Sequence, residues 1–278
     1  MLKPNLTSHI PNLLTLGNLL LGCMGIIFAF NDRIFPVALN ELDSTGNNPG
    51  VIFGFNSRLY ISSFLIFAAA GLDFLDGFIA RLLKAQSPIG EQLDSLADIV
   101  TFGVLPACIY YQLLAGAYHL EQEALDVSIL YLMPSFLIAI CSAYRLAKFN
   151  SDERQREGFL GLATPASALF AAALPLIIFT DAYDLSSLIL NKWVLYSLIL
   201  LFSFLMISEI PMFSFKSASL GWKGNEWLII FLLSSIFFIA FFKYTGVALA
   251  ILLYIILCIV RQLFFNSFQN KNREHQSN

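Results

Sequence analysis

Long apolar runs with almost no charge recur along the chain, separated by shorter polar stretches; 13–30, 61–72 and 244–260 are the clearest. A helix needs about 20 mostly apolar residues to cross a hydrocarbon layer of about 30 Å. Lipid offers no partner to a backbone N–H or C=O, so such runs must be helical. Their lengths predict roughly eight spans, at 12–30, 59–81, 89–114, 128–149, 163–180, 190–210, 225–242 and 245–263, with ends good to a few residues. The stretch 31–58 is rich in Asn, Gly, Asp and Pro and reads as an irregular loop. The end, 267–278, is polar and reads as a tail without fixed structure. The expected architecture is all-α, a polytopic transmembrane helix bundle in a single domain over 1–266.

Composition agrees. The chain is 58% hydrophobic and 13% charged, against about 45–50% and 25% for a soluble domain. The charges set an orientation. With the N-terminus in the cytoplasm, twelve Lys and Arg face inward and four (Arg33, Arg58, Lys192, Lys243) face outward. Cytoplasmic loops carry that excess, so both termini are expected inside. Only Lys3 precedes the first run, and no Ala-x-Ala site follows it, so a true first helix is expected rather than a cleaved leader. Cys23, Cys108, Cys141 and Cys258 sit singly in apolar runs, without metal-ligand spacing, and read as packing residues. A net charge of −3 offers nothing to nucleic acid.

Against this apolar background, one window is anomalous. Asp73, Asp76, Gly77, Ala80 and Arg81 share one face of a helix, and Gly90, Asp94 and Asp98 repeat every four residues on another. Ser87-Pro88 between them offers an N-cap and a first-turn proline. The two helices then form an antiparallel pair, with Asp73 at the depth of Asp98 and Asp76 near Asp94. Gly77, Ala80 and Gly90 carry little or no side chain, so either the backbones approach there or a ligand lies against them. An Asp at mid-membrane costs about 2.5–3.5 kcal/mol, so four unpaired ones would cost up to roughly 10–14 kcal/mol. A single Arg cannot neutralise them, but bound divalent cations can. An all-oxygen set selects Mg²⁺ or Mn²⁺, and four carboxylates suit two ions, the arrangement that clamps a transferring phosphoryl group.

The pattern Asp73-x2-Asp76-Gly77-x2-Ala80-Arg81-x8-Gly90-x3-Asp94-x3-Asp98 resembles the signature of the CDP-alcohol phosphatidyltransferases at every position. That resemblance implies that the four aspartates hold two metal ions and that Asp98 is the base deprotonating the acceptor alcohol. It also implies that Gly77, Ala80, Arg81 and Gly90 belong to the CDP-diacylglycerol site. Arg81 suits a diphosphate by its charge and fork geometry. The segment Ile10-Pro11-Asn12-Leu-Leu-Thr15-Leu-Gly-Asn18 resembles the family's first helix and adds Asn12 and Thr15 to the donor site. Resemblance covers residues 10–180. One of the last three spans would complete the family's six-helix core, and two would be an extension.

The metal window is shared by enzymes with different acceptors, so it cannot choose the alcohol. Relatives using glycerol phosphate commonly carry Arg where Asn18 stands, and Asn suggests an acceptor without phosphate. Tyr144-Arg145-Leu-Ala-Lys148-Phe-Asn150, followed by Gly158-Phe-Leu-Gly161-Leu-Ala-Thr-Pro165-Ala166, resembles the bacterial members whose acceptor is free serine, although those usually have Pro where Ala163 stands. A serine carboxylate needs a cation, which Arg145 or Lys148 can supply, with Asn150 alongside. Arg154 and Arg156 read as a solvated loop. The expectation is phosphatidyl transfer from CDP-diacylglycerol to L-serine, at the cytoplasmic face of a bacterial cytoplasmic membrane and with a homodimer carried over from the family. The rival acceptors are glycerol 3-phosphate and inositol phosphate. A divalent-cation transporter is the rival from another class, but it would spread acids over several spans at mid-membrane.

The charge asymmetry predicts that cysteines placed at 43–48 or 119–124 are labelled from outside intact cells. Those at 152–156 or 272–276 should be labelled only after permeabilisation; labelling of position 154 from outside would invert the orientation.

Overall fold

The computed structural model describes residues 9–31, 35–38, 51–54, 58–85, 87–120, 127–152, 159–181, 183–212 and 226–276. Arg154, Arg156, Gly158 and the middle of the 31–58 stretch lie outside the described residues. The helices are α1 (Ile10–Phe30), α2 (Leu59–Leu82), α3 (Pro88–Asp98), α4 (Leu105–His119), α5 (Ile129–Leu132), α6 (Leu137–Ser151), α7 (Thr164–Thr180), α8 (Ser186–Ile189), α9 (Lys192–Ile207) and α10 (Glu226–Gln276). A π-helical turn, Ile99–Val104, fuses α3 to α4, and a 3₁₀ turn, Met133–Phe136, fuses α5 to α6. Among the described residues five helical rods are long and apolar enough to cross a membrane: Ile10–Phe30, Leu59–Leu82, Pro88–His119, Ile129–Ser151 and Glu226–Leu263. Thr164–Thr180 and Lys192–Ile207 are apolar but shorter. The protein is an integral membrane helix bundle.

The buried face of α1 is made of Pro11, Thr15, Asn18, Gly22, Gly25 and Ala29, at alternating steps of four and three. Three of its six leucines, Leu13, Leu16 and Leu20, are exposed instead. Lipid is as apolar as leucine, so helices in a bilayer meet through small and polar residues. Gly22 and Gly25 leave no room for a Cβ against Thr101 and Leu105, so α1 lies directly on the π turn and the start of α4. Ser62 Oγ donates to the Gly25 carbonyl at 2.8 Å and ties α2 to the same face. At the bundle centre stands α7, apolar on every side and packed by α2, α4 and α10.

Two expectations change, and the division of the last segment takes a definite form. The 31–58 stretch is not wholly irregular: Phe35–Ala38 pairs antiparallel with Val51–Gly54, as two short apolar runs flanking a turn-rich stretch can. The polar end is helical in backbone to Gln276, because no Pro or Gly after Leu263 stops the helix and Gln, Lys, Arg and Glu favour it. The last helical segment breaks at Lys243 (φ 50°, ψ −119°). Beyond the break the chain folds back: Phe231 and Tyr254 meet at 5.3 Å, and Gly246 abuts the Phe238 carbonyl. The expected separation of 225–242 from 245–263 is therefore a tight helical hairpin.

The two ends of the bundle differ. One carries the acidic window. The other carries a tyrosine belt, in which Tyr196 donates to the Tyr131 carbonyl at 2.6 Å, Tyr118 stacks on Tyr131, and Lys192 lies 5.0 Å over the Tyr118 ring. Near the acidic end, Gly161 (φ 73°) fastens the segment leading into α7 onto the end of α9. Gly161 N donates to the Ile210 carbonyl and Leu162 N to the Leu205 carbonyl, each at 2.9 Å, beside the short pairing of Phe159–Leu160 with Pro211–Met212. A Cβ at Gly161 would stand 2.7 Å from the carbonyls of both Met206 and Ser208. Gly161→Ala should therefore destabilise the protein by about 1–3 kcal/mol from backbone conformation alone, read as a lower melting temperature in detergent; an unchanged Tm would show that this segment shifts freely.

Candidate active site

Ser87 caps α3 as the sequence suggests, its hydroxyl accepting from Gly90 N at 3.1 Å with Pro88 opening the helix. This sets the phase that turns Asp94 and Asp98 inward. Carboxylate oxygens of Asp73, Asp76 and Asp94 lie within 4.8 Å of one another. Asp98 stands one turn deeper, beside the π turn. Asp76 and Asp98 are buried, and Asp73 and Asp94 half-buried.

The acidic helices α2 and α3 are joined by α1, which packs along both, while α2 and α3 stand apart across a cavity. Thr15 Oγ1 donates to Asp76 Oδ2 at 2.7 Å, with the Pro11 carbonyl as a second acceptor at 3.1 Å. One turn on, Asn18 Nδ2 donates to Asp98 Oδ1 at 3.3 Å, and the Asn18 carbonyl accepts from Thr101 Oγ1 at 3.2 Å. The first helix thus orients one carboxylate on each acidic helix, a role that sequence reasoning did not assign to Thr15 or Asn18. Only spatial proximity reveals it, since Thr15 and Asp76 are 61 positions apart.

The glycines divide between the two uses left open by the sequence. Gly90 permits a close approach: a Cβ there would sit 2.9 Å from Asn12 Oδ1. A Cβ at Gly77 would meet nothing within 4 Å, and Gly77 opens on the cavity, leaving room for a ligand.

The cavity holds about 800 Å³, and its wall includes Asn12, Thr15, Gly77, Ala80, Arg81, Gly90, the four aspartates, Arg145 and Asn150. Lys148 is not brought there; its Nζ pairs with Glu209 Oε1 at 2.9 Å and ties α6 to the end of α9. Asn150 donates to Ser95 Oγ at 2.8 Å and ties α6 to α3. Glu91, Ser95, Phe149, Thr164 and Pro165 also line the wall. Sequence reasoning gave them no role; for Thr164, its place at the start of a helix was the available signal.

Five acids (Asp73, Asp76, Glu91, Asp94, Asp98) and two arginines face this space. The excess negative charge and the all-oxygen donor set fit a hard divalent cation. The volume lies in the range of small-molecule and cofactor sites, about 300–1,000 Å³. An acid-rich wall that also carries two arginines suits an anionic substrate accompanied by its cations.

This architecture and acidic window belong to membrane-embedded transferases acting on nucleotide-activated alcohols. The model of the CDP-alcohol phosphatidyltransferase family matches residues 8–205, and the chain belongs to that family. The match ends within α9, so α10 lies beyond it. Among curated proteins, the CDP-diacylglycerol–serine O-phosphatidyltransferase of Mycobacterium leprae is 34% identical over 193 residues, covering 66% of this chain and 59% of that protein. The protein of that name from Bacillus subtilis is 29% identical over 221 residues, 79% of this chain and 99% of the relative. The Helicobacter pylori protein of that name is 28% identical over 267 residues, 95% of each chain, so its likeness extends into α10. The chain spans less than two thirds of the length of the mycobacterial relatives it matches.

Because Thr15 holds Asp76 from outside the carboxylate cluster, Thr15→Val should weaken divalent-metal affinity by about 10- to 100-fold. Asp76→Asn should weaken it further. Mn²⁺ titration of the purified protein followed by electron paramagnetic resonance checks both, and unchanged affinity in Asp76→Asn would remove the metal reading of the cluster.

Proposed function

We propose that this protein transfers the phosphatidyl group of CDP-diacylglycerol to the hydroxyl of L-serine, releasing CMP. The observation that carries this reading is the convergence of all four aspartates, Arg81 and Arg145 on one cavity. Two divalent cations, Mg²⁺ or Mn²⁺, held by Asp73, Asp76, Asp94 and Asp98, would neutralise the donor's diphosphate. Arg81 offers that diphosphate a fork of donors, and the bare backbone at Gly77 with the small Ala80 leaves space for the cytidine end. Asn12, Thr15 and Gly90 complete the donor side. Asp98, buried and held by Asn18, takes the proton from the serine hydroxyl. The serine oxygen bonds to the phosphatidyl phosphorus; the bond from that phosphorus to the bridging oxygen breaks, and CMP leaves with the electron pair. Arg145, buried in the same wall, receives the serine carboxylate. Lys148 and Asn150 serve this reading by fixing α6, through Glu209 and Ser95, rather than by touching serine.

The reading takes residues 1–266 as one transmembrane catalytic domain with its motif core at 10–180, followed by a polar cytoplasmic end, 267–278. It takes eight crossings, counting α10 as two, with both termini and the active site on the cytoplasmic face of a bacterial cytoplasmic membrane. That face is where free serine is available. A homodimer is carried over from the family.

In purified protein with CDP-diacylglycerol, CMP release should require Mg²⁺ or Mn²⁺, stop with EDTA, and occur with serine but not with glycerol 3-phosphate. Asp98→Asn should lower kcat by about 10²- to 10⁴-fold. Release with glycerol 3-phosphate alone would overturn the serine assignment, and near-normal turnover in Asp98→Asn would reassign the base.

A further inference from the structure

Thr164 opens α7 against the cavity, and its neighbours Ala163 and Pro165 line the same wall as Arg145 and Asp98. The Thr164 side chain is fully buried, yet Oγ1 has no hydrogen-bond partner. Arg145 is 5% exposed, and its Nε likewise has none. Buried donors left without acceptors are costly, and native structures keep them mainly where a ligand, ion or water completes the bond. The helix start is unusual as well. Its N-cap is Ala163, which offers no side-chain acceptor to the first-turn N–H groups, where Ser, Thr, Asp or Asn ordinarily would. Seventeen residues of helix thus present an uncapped positive end to a cavity wall that also carries an arginine.

The segment is also held in place. Its approach runs through Gly161 and Leu162, whose N–H groups bond to carbonyls at the end of α9. Thr164 therefore cannot retreat without breaking that attachment.

We infer that Thr164 and the amino end of α7 form, with Arg145, a subsite for the carboxylate of the acceptor amino acid. The assignment rests on the proposed serine reaction and deepens it. Three features converge on one small anion: the hydroxyl of Thr164, the fork of Arg145 and the positive end of α7. They lie in the same cavity as Asp98, the proposed base, so an amino acid held here by its carboxylate has its side chain on the reacting side. A single arginine could hold a carboxylate or a phosphate. A short hydroxyl beside an uncapped helix start adds donors and positive potential that a carboxylate meets with two charged oxygens, an amide meets with one neutral oxygen, and a bare amine does not meet at all.

The test compares serine with serinamide, which keeps the hydroxyl and amine but lacks the carboxylate, in the full-length protein supplied with CDP-diacylglycerol and Mg²⁺. Wild type should show a KM for serinamide at least about 10-fold above that for serine, as expected for a lost hydrogen bond to a charged group. Thr164→Val should raise the serine KM by about 10-fold or more, leave the Kd for CDP-diacylglycerol unchanged, and narrow the preference for serine over serinamide. Thr164→Ser should restore the wild-type values. An unchanged serine KM in Thr164→Val overturns the assignment, and so does a wild type that uses the two acceptors with equal KM. That comparison still decides if the valine variant fails to fold. Absence of CMP release with serine in wild type would overturn the reaction on which the subsite rests.

Discussion

A carboxylate among membrane helices costs about 2.5–3.5 kcal/mol at mid-membrane, and this chain brings four into one cavity. Most of the architecture around them answers that cost. The α1 helix turns its small and polar face inward and gives Thr15 to Asp76 and Asn18 to Asp98. The π turn after Asp98 presents Thr101 to the Asn18 carbonyl, which closes a chain of bonds from α1 through the turn to α4. Without these partners, ionised groups at this depth would sit in helices that have little else to satisfy them.

Holding acids apart is as important as holding them in. If α2 and α3 packed tightly on one another, no substrate could reach the carboxylates. Instead α1 bridges the two, Gly90 admits Asn12 at that bridge, and Gly77 faces open space. The opposite wall is fixed from a different direction. Asn150 ties α6 to α3, Lys148 ties it to Glu209, and Gly161 ties the start of α7 to the end of α9. The cavity is therefore framed by bonds that cross between elements far apart in sequence, which lets a site built at the ends of helices keep a fixed shape.

The C-terminal hairpin lies beyond the family match but is not detached from the core. Ala248, Ile251, Ile255 and Cys258 are buried, and the rod packs on α7, the helix whose first turn reaches the site. Its other arm exposes Ile236, Phe237 and Phe241. That division suits a rod with one protein-facing side and one lipid-facing side. It backs the central helix and widens the bundle.

The membrane class, the helices and the acidic window were legible in the sequence, because hydrocarbon forces apolar length and helicity, and acids in that background have few explanations. The Ser87 cap and the reversal near Lys243 were legible too, one from local hydrogen bonding and the other from a gap in the apolar run. The pairing inside 31–58 and the helical end to Gln276 were not, since composition marks polarity there but not partners. Which faces meet was decided by tertiary structure alone. In water, the apolar side of a helix identifies its buried face; in lipid, leucines may point anywhere, and α1 buries Thr15, Asn18 and Gly22 while exposing Leu13 and Leu20. Lys148 and Arg145 sit three residues apart on one helix, yet one pairs with Glu209 and the other enters the cavity wall. Thr164 had no role in the sequence; the fold places it, buried and with no hydrogen-bond partner for Oγ1, at that wall. Sequence determines which chemical groups a helix carries and in what phase; the packing of distant helices determines which of those groups share a space.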